Sequence, residues 1–241
     1  MLQTYHTYTA DDQAVWRLLF DRQMAQLPGK ASQAYLDGIE KVGFAADHIP
    51  DFERELNPRL QRLTDWRVSA VPGLISNQAF FELMANRNFP ATTWLRKRQQ
   101  LDYLEEPDMF HDTFGHVPML SNQSFCDFLA ALSRIALAHV DHPEAIEMIS
   151  RLYWYTVEFG LIQEPQGLRI YGGGILSSPG ETTYSLSSQR PDRIPYDVEK
   201  LLQTPYVIDH YQDRYFVIKS YEQLYHSIPE IEEKLDALLV T

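Results

Sequence analysis

The chain has 241 residues, 44% of them hydrophobic, which suits one large domain with a substantial core and excludes a disordered chain. A net charge of −12 argues against nucleic acid and anionic membranes as partners. One cysteine, Cys126, excludes an intramolecular disulfide and leaves any metal to histidine and carboxylate ligands.

The start of the chain carries no signal peptide, and no apolar run reaches membrane length, so a cytoplasmic protein is expected. Thr9-Ala10-Asp11-Asp12 predicts a helix cap, followed by the apolar stripe Val15, Trp16, Leu18, Leu19 and Met24. Residues 1–14 are expected to form a loosely ordered N-terminal extension. A second helix is predicted over 32–42, ended by Gly43 as a left-handed cap. After a turn at Ile49-Pro50, Asn57 is expected to cap a helix with Pro58 at its first position. Residues 66–71 alternate as a strand does, and Pro72-Gly73 ends it. A helix capped by Ser76 or Asn77 comes next. A second strand over 89–96 carries Arg96 at its end; the run Arg96-Lys97-Arg98 also fits a plain surface charge.

The central stretch is Glu105-Glu106-Pro107-Asp108-Met109-Phe110-His111-Asp112-Thr113-Phe114-Gly115-His116-Val117-Pro118. A short helix is predicted from about Pro107 to His116. Two histidines five apart point roughly 140° away from each other on a straight α-helix. Gly115 and Pro118 are expected to loosen the helix enough to bring them together. Beyond it, Ser121 or Asn122 caps a long core helix running to His139. His139 and His142 are assigned to capping and solvent contact.

The next helix starts at Asp141-His142-Pro143 and ends at Gly160. It carries Glu158 among Trp154, Tyr155, Val157 and Phe159. A carboxylate there is costly unless paired, protonated or metal-bound; Arg151 is one possible partner. Residues 161–164 and 168–171 predict a hairpin. The glycines Gly172-Gly173-Gly174 would let the backbone approach a ligand closely. Ser178 caps a further helix. A helix near 196–202, a strand pair over 205–211 and 214–218, and a final helix over 221–239 complete a mostly α, α+β chain with an open metal-site cleft.

Two imidazoles and one carboxylate with open positions make the facial set of non-haem Fe(II) oxygenases. The same ligands can hold zinc with an activated water, with Asp112 as base. Spacing alone does not separate the two metals. A non-catalytic protein that binds aromatic ligands around a structural metal is a third reading.

At these residues the sequence resembles the pterin-dependent aromatic amino acid hydroxylases, most closely the short bacterial ones acting on phenylalanine. The motifs are Pro107-Asp108-x-x-His111-Asp112-x-x-Gly115-His116-x-Pro118, Tyr153-Trp154-Tyr155-Thr156-Val157-Glu158-Phe159-Gly160 and Tyr171-Gly172-Gly173-Gly174-Ile175-Leu176-Ser177-Ser178. The resemblance runs from about Val15 to Tyr221. It implies an iron- and tetrahydropterin-dependent monooxygenase that uses O₂ to turn L-phenylalanine into L-tyrosine. Tryptophan or meta hydroxylation is the alternative within the family. His111, His116 and Glu158 would be the iron ligands. Gly73, Leu74, Ile75, Asn77 and Phe80 match the pterin-holding loop. Asp112 matches a pterin-side carboxylate that is usually glutamate in the animal enzymes, and Tyr153 lies at the pterin edge. Arg96 would take the amino acid's carboxylate, aided by Ser177 and the Gly174 backbone. Pro107, Trp154 and Phe159 would line the ring pocket. Leu104, within Tyr103-Leu104-Glu105, replaces an animal threonine. The resemblance also implies a monomeric catalytic domain over 1–241 with no regulatory or tetramerisation domain.

Overall fold

Helix α1 (Ala10–Met24) begins where Thr9 and Asp12 cap each other: Thr9 Oγ1 accepts the Asp12 N–H, and the Asp12 carboxylate accepts the Thr9 N–H. The structure, a computed structural model, describes residues 1–102, 104 and 106–240. Tyr103 and Glu105 lie outside the described residues. The first residues differ from the loosely ordered extension expected over 1–14. Gln3 donates to the Pro50 carbonyl and accepts the Phe52 N–H, while the Tyr5 and Tyr8 hydroxyls reach the Ile49 and Thr93 carbonyls.

Helix α2 (Gln33–Val42) runs from its Ser32 cap to Gly43 at φ +73. A Cβ on its Gly38 would stand 2.3 Å from the Pro118 carbonyl oxygen, so α2 packs directly on the segment after His116. Helix α3 (Asn57–Thr64) continues a wide π turn, Phe52–Leu56, that Asp51 caps. Asn57 is therefore no cap. Its buried amide clamps the Val68 N–H (2.7 Å) and carbonyl (3.1 Å) at the start of β1 (Arg67–Val71).

Strand β1 pairs in parallel with β2 (Asn88–Thr92) across α4 (Asn77–Ala85), which Ser76 caps. Strand β2 stops short of Arg96. Helix α5 (Gln123–Ala138), capped by Asn122, runs through the core, with α4 and the later helix Tyr221–His226 packed on it. Helix α6 (Pro143–Tyr153) passes into a further π turn, Trp154–Glu158. The predicted hairpin forms as β3 (Leu161–Glu164) and β4 (Gly167–Ile170). Then come α7 (Gly173–Leu176), α8 (Pro179–Ser187), β5 (Asp192–Pro195), α9 (Val198–Gln203) and β6 (Arg214–Ile218).

The larger sheet has the order β4-β3-β6-β5. Strand β6 pairs with β3 and β5, not with 205–211, which forms no strand and is tied down by side chains instead. The expected final helix is two, α10 (Tyr221–His226) and α11 (Ile228–Leu239), broken at Ser227 just before Pro229. The architecture is mostly helical with a few short strands, as expected. Among the described residues, no helix is long and apolar enough to cross a membrane.

Candidate active site

A π turn resolves the awkward histidine spacing. Residues His111–His116 wind in the i→i+5 manner, which returns His116 to the face of His111. Their Nε2 atoms lie 3.4 Å apart. The expected cause was different. Val117 stays helical at φ −61, ψ −34 despite Pro118. Gly115 answers to packing: a Cβ there would stand 2.7 Å from the Gly173 carbonyl oxygen. The helix begins at Met109, two residues later than predicted, because Asp108 caps it by accepting the His111 N–H at 3.0 Å. A widened turn needs other donors for its carbonyls. The Thr113 hydroxyl donates to the Met109 carbonyl and the Tyr35 hydroxyl to the Phe114 carbonyl, both at 2.6 Å. Phe110 and Phe114 stack at 4.7 Å and pack edge-on to Trp16 and Phe20, which locks the turn to α1.

Glu158 sits on the π turn Trp154–Glu158, where the Phe159 N–H donates five residues back to Trp154 at 2.8 Å. Arg151 is not its partner, since that side chain pairs with Glu147 and donates to the Leu202 carbonyl. Glu158 faces the histidines, with Oε1 3.3 Å from His116 Nε2 and Oε2 3.6 Å from His111 Nε2. One ligand atom from each of the three lies within 4.8 Å of the others.

The glycine run serves these ligands. A Cβ on Gly173 would stand 2.4 Å from the His116 ring, and one on Gly172 2.4 Å from the Glu158 carbonyl oxygen. A Cβ on Gly174 would lie 3.1 Å from Glu158 Oε2. Ser177 Oγ donates to the Gly173 carbonyl (2.9 Å) and lies 3.0 Å from His111 Nδ1. With its one proton so used, Ser177 accepts from Nδ1–H and leaves the Nε2 lone pair facing the site. From α1, the buried Gln23 amide holds the Leu176 carbonyl and fixes the same turn.

Electrostatics suit a cation. Burial pushes the His111 imidazole down, towards the neutral form a metal requires. Burial also opposes charge on Glu158 and His116, but their attraction outweighs it. Glu158 is held below the usual carboxylate range and His116 above the usual imidazole range. The donor set fits an iron ion with open positions.

Next to the ligands lies a cavity of about 360 Å³. Its wall includes Gly73, Leu74, Ile75, Asn77, Phe80, Asp112 and Tyr153, all expected at the pterin, together with Pro107 and Trp154. The Asp112 carboxyl is pushed up by burial, and its Oδ2 accepts both the Thr92 N–H (2.7 Å) and hydroxyl (2.8 Å). Phe80 meets Tyr153 edge-on at 5.4 Å. The other expected residues stand behind this wall. Phe159 packs on Trp154 at 4.7 Å, Gly174 lies against Glu158, and Ser177 lies against His111. Arg96 is no surface charge: it is 7% exposed. Its Nε and Nη2 each donate to Asp108 at 2.8 Å, and its guanidinium lies over Phe110. Burial opposes the Asp108 charge, but Arg96 holds its carboxyl below the usual range.

Sequence reasoning missed Thr92, Tyr206 and the anchoring role of Asp108. Asp108 had a visible signal, an acid one helical turn before a histidine ligand. Thr92 and Tyr206 had none, since each meets its partner only through the fold.

Known proteins match the chain in sequence and in fold. The family model for biopterin-dependent aromatic amino acid hydroxylase matches residues 4–239. Phenylalanine-4-hydroxylase of Ralstonia nicotianae is 50% identical over 99% of this chain and 76% of its own. That of Pseudomonas aeruginosa is 44% identical over 92% and 84%. Phenylalanine hydroxylase of Chromobacterium violaceum, solved with iron and phenylalanine, superposes with a TM-score of 0.93 at 44% identity, covering 100% of this chain and 87% of that one. The same enzyme with iron(III) and 7,8-dihydrobiopterin gives 0.94 at 47%, over 100% and 86%. The chain belongs to the biopterin-dependent aromatic amino acid hydroxylase family.

Proposed function

We propose that this chain hydroxylates L-phenylalanine to L-tyrosine with O₂, using iron and a tetrahydropterin. The observation that carries the reading is the convergence of His111, His116 and Glu158 beside a cavity walled by Asp112, Phe80 and Tyr153. Relatives named for this reaction, at up to 50% identity, support it.

Iron and the reduced pterin, when bound, supply the activation of O₂, for which side chains have no chemistry. The protein binds, orients and excludes water. His111, His116 and Glu158 hold the metal, and Ser177 fixes the His111 tautomer. The cavity would take the flat pterin, with Phe80, the Gly73 to Asn77 loop and Asp112 in its wall. Arg96 receives the amino acid's carboxylate. Asp108 keeps its fork in place, and Nη1, which among the described residues donates only to the Leu101 carbonyl at 3.3 Å, retains bonding capacity. Trp154, Phe159 and Pro107 face the ring. The same reading has the chain acting as a monomer in the cytoplasm, where the buried, unpaired Cys126 stays reduced.

The test is to incubate iron-loaded protein with phenylalanine, tetrahydropterin and O₂ and to separate the products by chromatography. Tyrosine should form in step with pterin oxidation. Absence of any hydroxylated aromatic amino acid refutes the proposal. Sedimentation velocity reads the monomer.

A further inference from the structure

Trp154 and Tyr206 both line the cavity, with ring centroids 4.5 Å apart and planes 18° from parallel. Tyr206 lies on the irregular segment between α9 and β6, whose own backbone does not fix it. One side chain ties Trp154 to the segment that carries Tyr206. Gln212, 2% exposed, accepts the Trp154 indole N–H on Oε1 at 2.9 Å. Its Nε2 donates to the Val207 carbonyl, also at 2.9 Å. The indole can only donate and the carbonyl can only accept, so the two ends of the amide are not interchangeable.

Gln212 is itself held from outside the cavity. Its backbone N–H donates to Glu181 Oε1 on α8 at 3.3 Å, and the same oxygen accepts the Tyr215 hydroxyl from β6. At the other end of the segment, the Tyr155 hydroxyl donates to the Pro205 carbonyl at 2.7 Å. The stretch bearing Tyr206 is thus pinned at both ends, and one pin is shared with the ring it stacks on.

The geometry points to Gln212 as a positioning residue for substrate choice: it fixes the plane of Trp154 and the place of Tyr206, and so the stretch of cavity wall that this stacked pair presents to the substrate's ring. The inference rests on the hydroxylase reading above. A wall held in place by the stacked pair admits the single ring of phenylalanine and disfavours the larger fused ring of tryptophan. Freed of Gln212, the two rings separate and the preference weakens.

The decisive variant is Gln212→Met, which keeps the length and removes both hydrogen bonds. Preference is read as the ratio of kcat/KM for phenylalanine to that for tryptophan, or as competitive inhibition by tryptophan where its turnover is too slow. The ratio should fall by roughly tenfold or more, the range that one altered pocket contact commands. The KM for tetrahydropterin should stay unchanged. In ¹⁵N-tryptophan-labelled protein, one indole N–H of the four should exchange faster with solvent. Gln212→Glu keeps the indole acceptor but loses the Val207 donor, and should fall between. A purely structural role predicts lower Tm and equal losses with both substrates; an unchanged ratio overturns the inference. Should Gln212→Met not fold, Tyr206→Leu leaves the buried amide in place and must lower the same ratio, and its failure to do so counts equally against the inference. Wild-type protein that makes no tyrosine refutes the hydroxylase reading itself. Wild-type protein that makes tyrosine, with variants of unaltered ratio, refutes the role of Gln212 alone.

Discussion

Replacing Gly173 with alanine isolates the link between backbone packing and metal binding. The added Cβ would stand 2.4 Å from both Cε1 and Nδ1 of His116. Carbon atoms in contact keep about 3.5–4.0 Å apart, so one side must yield by more than about 1 Å. The His116 ring has nowhere to go, being 4% exposed with the Phe89 ring 5.3 Å away. A shift of that size displaces Nε2, now 3.3 Å from Glu158 Oε1, out of the ligand set. Overpacking should cost about 1–3 kcal/mol of stability, read from urea denaturation. Iron affinity should fall by at least the roughly 10–100-fold seen when a ligand's support is removed, read by chelator competition. Circular dichroism should show the fold retained. Unchanged iron affinity in a folded Gly173→Ala protein would mean that the backbone at Gly173 does not hold His116, and the reasoning fails.

Other residues offer independent checks. Asp108→Asn strips the charge from a fully buried partner of Arg96 and should cost about 3–5 kcal/mol in urea denaturation, with a raised KM for phenylalanine; a loss no larger than that of a surface ion pair argues against the buried fork. Thr92→Val removes one of the two hydrogen bonds to Asp112 Oδ2, worth about 1.5–3 kcal/mol to a charged acceptor, and should raise the KM for tetrahydropterin while sparing that for phenylalanine. His48 lies between Asp47 and Glu55; burial opposes its charge, but the two carboxylates hold its imidazole above the usual range. With the folded value above the unfolded one, this stabilisation is complete below about pH 6.5 and is lost as pH rises through the folded value. The Tm advantage of wild type over His48→Gln should therefore shrink on that rise, and a constant advantage refutes the linkage.

What was legible in the sequence depended on how local its cause was. Thr9, Ser32, Ser76, Asn122 and Ser178 announced helix starts because a cap acts within three residues. The convergence of Glu158 with His111 and His116 was legible because a carboxylate among aromatics needs a reason. Arg96 was ambiguous for the opposite cause: its neighbours in sequence are basic, while the carboxylate that buries it lies twelve residues on. Asn57 beside Pro58 matches the sequence pattern of a cap, yet its amide serves β1, eleven residues away. The partner of β6 was not legible at all. Parallel pairing with β3 and β5 is set by long crossovers, whereas sequence pattern favours the adjacent segment, 205–211.

The two halves of the metal site share one local solution, and it leaves a mark in the sequence. Each ligand-bearing helix ends in a π turn, and each π turn carries a buried threonine that donates to the carbonyl four residues back: Thr113 to Met109 and Thr156 to Leu152. A threonine in a helix interior is normally a mild liability, since its hydroxyl competes with the backbone. Here the competition is useful, because a turn of five-residue spacing needs a donor where the α-helical ladder is disturbed. Tyr35 serves the Phe114 carbonyl as well, so side-chain hydroxyls supply donors to three carbonyls of these two segments. The awkward spacing of His111 and His116 is thus a consequence of a turn that the residue between them helps to hold open. Glu158 reaches the same centre because Thr156, two residues before it, does the same on the other helix.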